Sequence, residues 1–410
     1  MRSWEIRTSV QMAKSISYLL GAGFSAPAGY PIGNILNNKL LKCNEDKFTF
    51  HSSGVLVPNN NGQKPNFGVQ SSHETQFEFC VVLMNLFYNR MKYFDYEEFY
   101  DFMLNVAIKD AQVHEIAKPF VSRFGAIEQL FFGLPSIYQQ VVAYYIHDHN
   151  GKQWYDDEPY TVETSFEGYT GFLNYLVSST AAIDSVNIHT LNHDLFFERL
   201  GKTKWLTGNL CDGFEEAGSP FYGTLESNGK LYRQQLPRYT GKYESKFKLY
   251  KLHGSLSYGA FFKSSQSGIL KVPEIYIKTR YGVGFGEIEK ETIAEGKTTY
   301  DRDFTTYHSD FLTGTTSKVK RYREPLLYTK LLALFVKNLK VTESLVIVGY
   351  GCRDSEINRL ILENFDFNNK ACYIIDPFAG DSVKEFAKRI NGRIISTPLN
   401  DITTDDFNSI

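Results

Sequence analysis

The chain has no C-x-x-C pair: its five cysteines, Cys43, Cys80, Cys211, Cys352 and Cys372, are scattered through 410 residues. The tetrahedral Cys₄ pattern of a structural zinc site is therefore missing, and no zinc is expected. Isolated cysteines suit a reducing compartment, which makes the cytoplasm the expected location. No run resembles a transmembrane span, and Met1 to Lys14 lacks the apolar core of a signal peptide, so no membrane association is expected. The formal net charge is only −2, which gives no electrostatic case for nucleic-acid binding. There is no internal repeat. At 410 residues the chain exceeds one average domain, so a main domain with a large insert or companion is expected.

What is present is glycine at the ends of apolar runs. Ile16 to Leu20 reads as a buried strand, and Asn34 to Leu41 reads as a helix. Between them lies Gly21-Ala22-Gly23-Phe24-Ser25-Ala26. Its glycines and Ala26 fit the dinucleotide pattern G-x-G-x-x-G/A at a strand-to-helix turn. Small residues also make ordinary tight turns, so the pattern alone decides nothing. Three later segments repeat the arrangement. Asn192-His193-Asp194 follows the apolar stretch Val186 to Ile188 and precedes a helical segment from Leu195 to Leu200. His253-Gly254 follows the alternating run Phe247 to Tyr250. Ser344 to Val348 reads as a strand that runs into Gly349-Tyr350-Gly351, with Asp354 as N-cap of a helix from Ile357 to Leu362.

In this order the motifs resemble those of the sirtuins: G-A-G-x-S near the N-terminus, then N-x-D after a central strand, then H-G. The strand–Gly–Tyr–Gly element with Asp354 close behind is more similar to the sirtuin-like NAD hydrolases of bacterial anti-phage defence. The motifs run from residue 16 to about residue 376, with little likeness between them. The chain departs from the protein-deacylating members in two ways. It lacks their four-cysteine zinc module, and Pro31-Ile32-Gly33-Asn34 stands in place of a Pro-x-Phe-Arg segment. Both departures argue against lysine deacylation and leave NAD binding intact.

The resemblance implies an α/β fold, a Rossmann-like parallel sheet (sirtuin-like) with a helical insert. Residues 1–45 and 165–410 would form the NAD-binding catalytic domain, and 71–164 the helical insert or subdomain. It implies NAD as substrate, cleaved to ADP-ribose and nicotinamide. Asn192, Asp194 and His253 would be catalytic, while Gly21, Ala22, Gly23, Ser25, Gly349 and Asp376 would bind the dinucleotide. The chemistry suits these residue types. The Asn192 amide can hold a ribose hydroxyl or orient water, and Asp194 can fix the carboxamide or the loop. His253 titrates near neutrality and can transfer a proton. Gly254 would leave room for substrate. The amides from Gly21 to Ser25 would cradle the pyrophosphate, and Asp376, at the end of the run Cys372 to Ile375, could accept from a ribose hydroxyl.

Plainer readings stand beside these. Asn192 and Asp194 can simply cap the following helix, and His253 can be a polar residue ending a strand. His147-Asp148-His149 and Gly282, Gly284 and Gly286 read as loops, and Lys47 to Gln70 as a polar surface loop. A deacylase or ADP-ribosyltransferase, or a non-catalytic NAD or ADP-ribose sensing module, remain alternatives. A dehydrogenase is disfavoured, because Glu45 and Asp46 lie in a polar stretch and not at the end of a second strand.

From Thr75 to about Ile146 apolar residues recur at helical spacing. Within this block Phe87, Tyr88, Tyr93, Phe94, Tyr96, Phe99 and Tyr100 crowd a short span. Either neighbouring elements cover them, or some form a subunit or partner interface. A hydrolase of cytoplasmic NAD must be gated, so a homo-oligomer, and an ATPase or phage-sensing protein partner, are expected.

Overall fold

Strands buried on both faces read as unbroken apolar runs, and such runs pair in parallel when helices cover both faces. The computed structural model describes residues 14–45, 48–50, 56–58, 72–147, 166–201, 203–206, 208–227, 230–262, 273–279, 288–301 and 309–408. Seven strands form its main sheet: β1 (Ser15–Leu20), β2 (Ser185–Thr190), β3 (Leu210–Cys211), β4 (Phe247–Lys251), β5 (Ser344–Val348), β6 (Ala371–Ile375) and β7 (Arg393–Ile395). Their order is β7-β6-β5-β1-β2-β4-β3, with every pairing parallel. The fold is α/β with a Rossmann-like parallel sheet and a helical insert, as the sequence predicts. β1 is buried at all six positions. Its alternate residues feed two cores: Ile16, Tyr18 and Leu20 face one, Leu19 the other.

Register decides where the loops emerge. Leu20 lies opposite both Thr190 and Val348, Thr190 opposite Lys251, and Val348 opposite Ile375. Five strands thus end on one row, and Gly21, Leu191, Leu252, Gly349 and Asp376 leave the sheet along a single edge. Strand order reverses direction between β1 and β5. In open parallel sheets that reversal opens a crevice at the carboxyl ends, where ligands bind.

Helix α1 (Gly33–Leu41) follows the first glycine loop. Then come α2 (Ser72–Met91), α3 (Tyr96–Asn105), α4 (Ala111–Phe124), α5 (Ile127–Phe132) and α6 (Leu134–His147). They share a core that includes Phe79, Leu83, Phe99, Leu130 and Tyr138. Of the crowded aromatics, Phe87, Phe94, Phe99 and Tyr100 are buried in it, whereas Tyr88 and Tyr93 remain exposed. The helical core also takes in Phe221, Leu236, Phe261 and Phe311, which come from beyond β2. Two four-stranded sheets, antiparallel wherever a pairing register is defined, occupy that later region. Helices α7 (Thr170–Ser179), α8 (Phe196–Leu200), α9 (Ser317–Arg321), α10 (Tyr328–Val341), α11 (Ser355–Asn364) and α12 (Asp381–Arg389) are the other helices of five residues or more among the described residues.

The stretch from Lys47 to Gln70 is not wholly a surface loop. Phe48–Phe50 and Leu56–Pro58 pair as an antiparallel ribbon, and Phe50 and Leu56 are each 3% exposed against the helical core. The Leu56 amide donates to Gln140 Oε1 at 2.7 Å. Phe48 and Phe50 alternate at strand spacing inside the polar stretch, and that alternation outweighs the local polarity. His147 ends α6, while Asp148, His149, Gly282, Gly284 and Gly286 lie outside the described residues.

Candidate active site at the carboxyl edge of the sheet

The loops after β1 and β5 are joined backbone to backbone. The Gly21 amide donates to the Val348 carbonyl at 3.0 Å, and the Gly23 amide to the Gly349 carbonyl at 2.9 Å. A Cβ on Gly21 would lie 2.7 Å from the Gly349 oxygen, and one on Gly23 would lie 2.8 Å from the Gly349 Cα. On Gly349, whose φ is +58°, it would lie 2.3 Å from the Phe24 nitrogen. The space opened by these missing side chains is thus filled by the opposing loop. Ala22 is exposed at the rim, and Phe24 is buried among Tyr169, Phe172, Phe196 and Phe197, anchoring the loop from below.

The second motif closes on the first. Asn192 Nδ2 donates to the Gly21 carbonyl at 2.9 Å and to Ser25 Oγ at 3.0 Å. The Ser25 hydroxyl in turn bonds the Asp194 carboxylate. Asp194 Oδ1 also accepts from the Phe196 amide at 2.9 Å. Asp194 thus holds the first amide of α8, whose N-cap position is Leu195, while joining the Ser25 network. Burial pushes its carboxyl above the usual range, with Lys251 opposing. Lys251, 1% exposed at the end of β4, donates to the Asp194 carbonyl and lies 3.0 Å from Glu198 Oε1.

His253 is 5% exposed and sits among polar groups. Its Nε2 bonds the Tyr322 hydroxyl at 2.7 Å and lies 3.4 Å from Asp354 Oδ2. His193, between Asn192 and Asp194, places its ring 6.1 Å from that of His253 and bonds the His253 backbone. Burial lowers the proton affinity of both imidazoles; Asp354 partly restores that of His253, and Lys318 lowers it again. Asp354 behaves oppositely. Burial pushes it up, but the bond to His253 and the charge of Lys318 outweigh that and hold it far below the usual carboxylate range. A neutral imidazole beside an ionised carboxylate is a competent proton acceptor.

Asn192, Asp194, Ser25, Gly21, Gly23 and Gly349 therefore meet at one edge of the sheet through direct contacts, with His253 reached through His193. Asp376 emerges from the same row but caps its own turn, accepting from the Phe378 amide at 2.9 Å. The space beside Gly254 (φ +81°) is not open to a substrate: a Cβ there would lie 2.5 Å from the Asp310 oxygen and 2.8 Å from the Phe311 Cα. Lys251, Tyr322, Lys318 and Glu97 belong to none of the motifs; only Lys251 carries a signal in the sequence, as a lysine at the end of a strand two residues before His253. Among the described residues no group of three His, Cys, Asp or Glu side chains is placed to hold a metal, and no helix is long and apolar enough to cross a membrane.

No protein-family model matches the chain, and no curated protein matches it. Among solved structures, a complex of a Sir2 homologue with NAD aligns over 97% of this chain and 89% of its own, at 9% identity and a TM-score of 0.34. A structure described as the basis for the mechanism and regulation of Sir2 enzymes aligns over 97% and 92%, at 11% identity and a TM-score of 0.32. A mutant Sir2 homologue with ADP-ribose aligns over 93% and 92%, at 11% identity and a TM-score of 0.29. Scores this low establish neither a shared fold nor a shared activity; the parallel sheet and its strand order stand on their own.

Proposed function

We propose that the chain hydrolyses NAD to ADP-ribose and nicotinamide. The observation that carries this reading is the bridge from Asn192 to Gly21 and Ser25, which joins two motifs at the carboxyl edge of the sheet, beside the point where strand order reverses. The bond from ribose C1′ to nicotinamide breaks, and its electron pair leaves with the neutral base. A water oxygen bonds to C1′ and gives up a proton. His253, neutral and hydrogen-bonded to Tyr322, is assigned as the acceptor of that proton. The Asn192 Oδ1 can accept from a ribose hydroxyl or from the water, while its Nδ2 holds the loop. The charge that develops on the ribose is stabilised by fixed dipoles at the site.

In this reading residues 1–45 and 165–410 form the catalytic unit and 71–164 the insert. Ala22 and Asp376 are assigned to dinucleotide binding along with Gly21, Gly23, Ser25 and Gly349. No zinc takes part. The likeness of the Gly349-Tyr350-Gly351 element to anti-phage NAD hydrolases supports a role in NAD depletion within the cytoplasm. Such an activity would be gated by a homo-oligomer or by an ATPase or phage-sensing partner. Exposed Tyr88 and Tyr93 are candidate contacts.

The test is incubation of the pure protein with NAD, with and without an acyl-peptide, following nicotinamide release. Release that needs no peptide supports hydrolysis. Release only with peptide would replace hydrolysis by acyl or ADP-ribosyl transfer. Binding of NAD without release would leave a sensing module.

A further inference from the structure

Asp354 divides its carboxylate. Oδ1 caps α11, accepting from the Glu356 and Ile357 amides at 3.1 Å each. Oδ2 faces two competing cations or donors: Lys318 Nζ at 2.9 Å and His253 Nε2 at 3.4 Å. Lys318 is itself shared. Its ammonium also donates to Glu97 Oε2 at 3.0 Å and Oε1 at 3.2 Å, across 221 residues of sequence. Glu97 belongs to α3 of the helical block. One turn on, Asp101 accepts from the amides of Thr315, Thr316 and Ser317 at 2.9, 2.6 and 3.0 Å. The helical block therefore grips the very segment that carries Lys318.

We propose that Glu97 is a positioning residue for His253: by sharing the Lys318 ammonium that also contacts Asp354 Oδ2, it leaves part of that oxygen's acceptor capacity to orient the imidazole. The inference rests on the proposed NAD cleavage only for its kinetic consequence. A carboxylate oxygen that accepts fully from an ammonium is a weaker acceptor toward a second donor. Whatever loosens Glu97 from Lys318 therefore loosens Asp354 from His253.

Asp95, Tyr96 and Glu97 face this chain of contacts from α3 and its cap, Lys318 and Tyr322 from α9 and its end, Glu356 from α11, and Lys251 from the end of β4. Tyr350 and Asp354 face it from the loop before α11, and His193 and His253 from the loops after β2 and β4. Burial pushes the Glu97 carboxyl up to about 7, with Lys318 pulling against it. The grip therefore loosens as pH falls through neutrality, above the range in which His253, its own affinity lowered, takes up a proton.

The experiment is histidine ring ¹⁵N NMR of the full chain against pH, with the His253 resonances assigned by their loss in His253→Gln. Wild type is expected to show two steps: one near the Glu97 value, as the imidazole changes hydrogen-bond partner or tautomer, and a lower one as it protonates. Glu97→Gln is expected to lose the upper step and to show, at high pH, the ring shifts that wild type shows just below it. Lys318→Met, which removes the competitor, is expected to lose the upper step while keeping the high-pH ring shifts. It carries the test should Glu97→Gln not fold. Both steps persisting unchanged in either folded variant would overturn the proposal. If wild type releases no nicotinamide and the upper step is nevertheless present and lost in the variants, the positioning role stands and the NAD reading falls.

Discussion

Asn192 Nδ2 donates to Ser25 Oγ at 3.0 Å, and that bond ties the loop after β2 to the loop after β1 at the carboxyl edge of the sheet. Two residues 167 positions apart thereby meet at one edge of the sheet. The same amide nitrogen holds the Gly21 carbonyl, so one side chain fixes both the turn and the serine. The arrangement makes Asn192 a residue whose loss disturbs geometry as well as chemistry. Asn192→Ala is expected to reduce NAD cleavage by ~10²–10⁴-fold. Steady-state nicotinamide release with circular dichroism as a folding control checks this; full activity in folded Asn192→Ala would remove the residue from the mechanism.

The glycines make a stability prediction. Gly23→Ala places a methyl against the Gly349 backbone, and Gly349→Ala forces both a left-handed backbone and contact with the Phe24 nitrogen. Backbone on both sides cannot yield as a flexible side chain would. Gly349→Ala is expected to destabilise the chain by about 2 kcal/mol or more, and Gly23→Ala by about 1–3 kcal/mol. Denaturant melts read these directly. Wild-type midpoints in both variants would contradict the loop packing.

Asp101 predicts an acid dependence. Burial pushes its carboxyl up, but bonds from Thr315, Thr316 and Ser317 outweigh that and bring it to about 2. Its unfolded value is about 4, so between these values the unfolded chain binds more protons and stability falls as pH falls. The contribution is complete above about pH 4 and disappears as pH drops toward the folded value. Asp101→Asn is expected to flatten stability against pH within that window. An unchanged slope would mean that the clamp adds nothing.

Metal removal should change little. The five cysteines are scattered along the sequence with no C-x-x-C pair. Chelators are expected to leave the thermal melt in place, and elemental analysis to find no stoichiometric zinc. About one tightly held zinc per chain would overturn this expectation, because structural zinc contributes to folding outright.

Much of the sheet was legible because parallel strands covered on both faces leave unbroken apolar runs such as Leu345 to Val348. The order of the glycine, Asn-x-Asp and His-Gly motifs pointed to one edge, and the shared register of Leu20, Thr190, Lys251, Val348 and Ile375 is what brings them there. The use of the glycines was not legible: a pattern shows that a side chain is missing, not which atoms fill the space. A glycine at 254 suggests room for substrate, yet Asp310 and Phe311 take that room. Glu97 and Lys318 were invisible for a similar reason. Each looks like an ordinary charge on a short amphipathic segment, and only the tertiary fold sets them face to face beside Asp354.

The most direct measurement is the rate of nicotinamide release from NAD by wild type and by His253→Ala, both shown to be folded and both tested with any assembly partner present. The account predicts release by wild type without an acyl-peptide and a loss of ~10²–10⁴-fold in the variant. Equal rates in the two proteins would contradict the assignment of His253 as proton acceptor, and no release by the assembled wild type would contradict NAD hydrolysis itself.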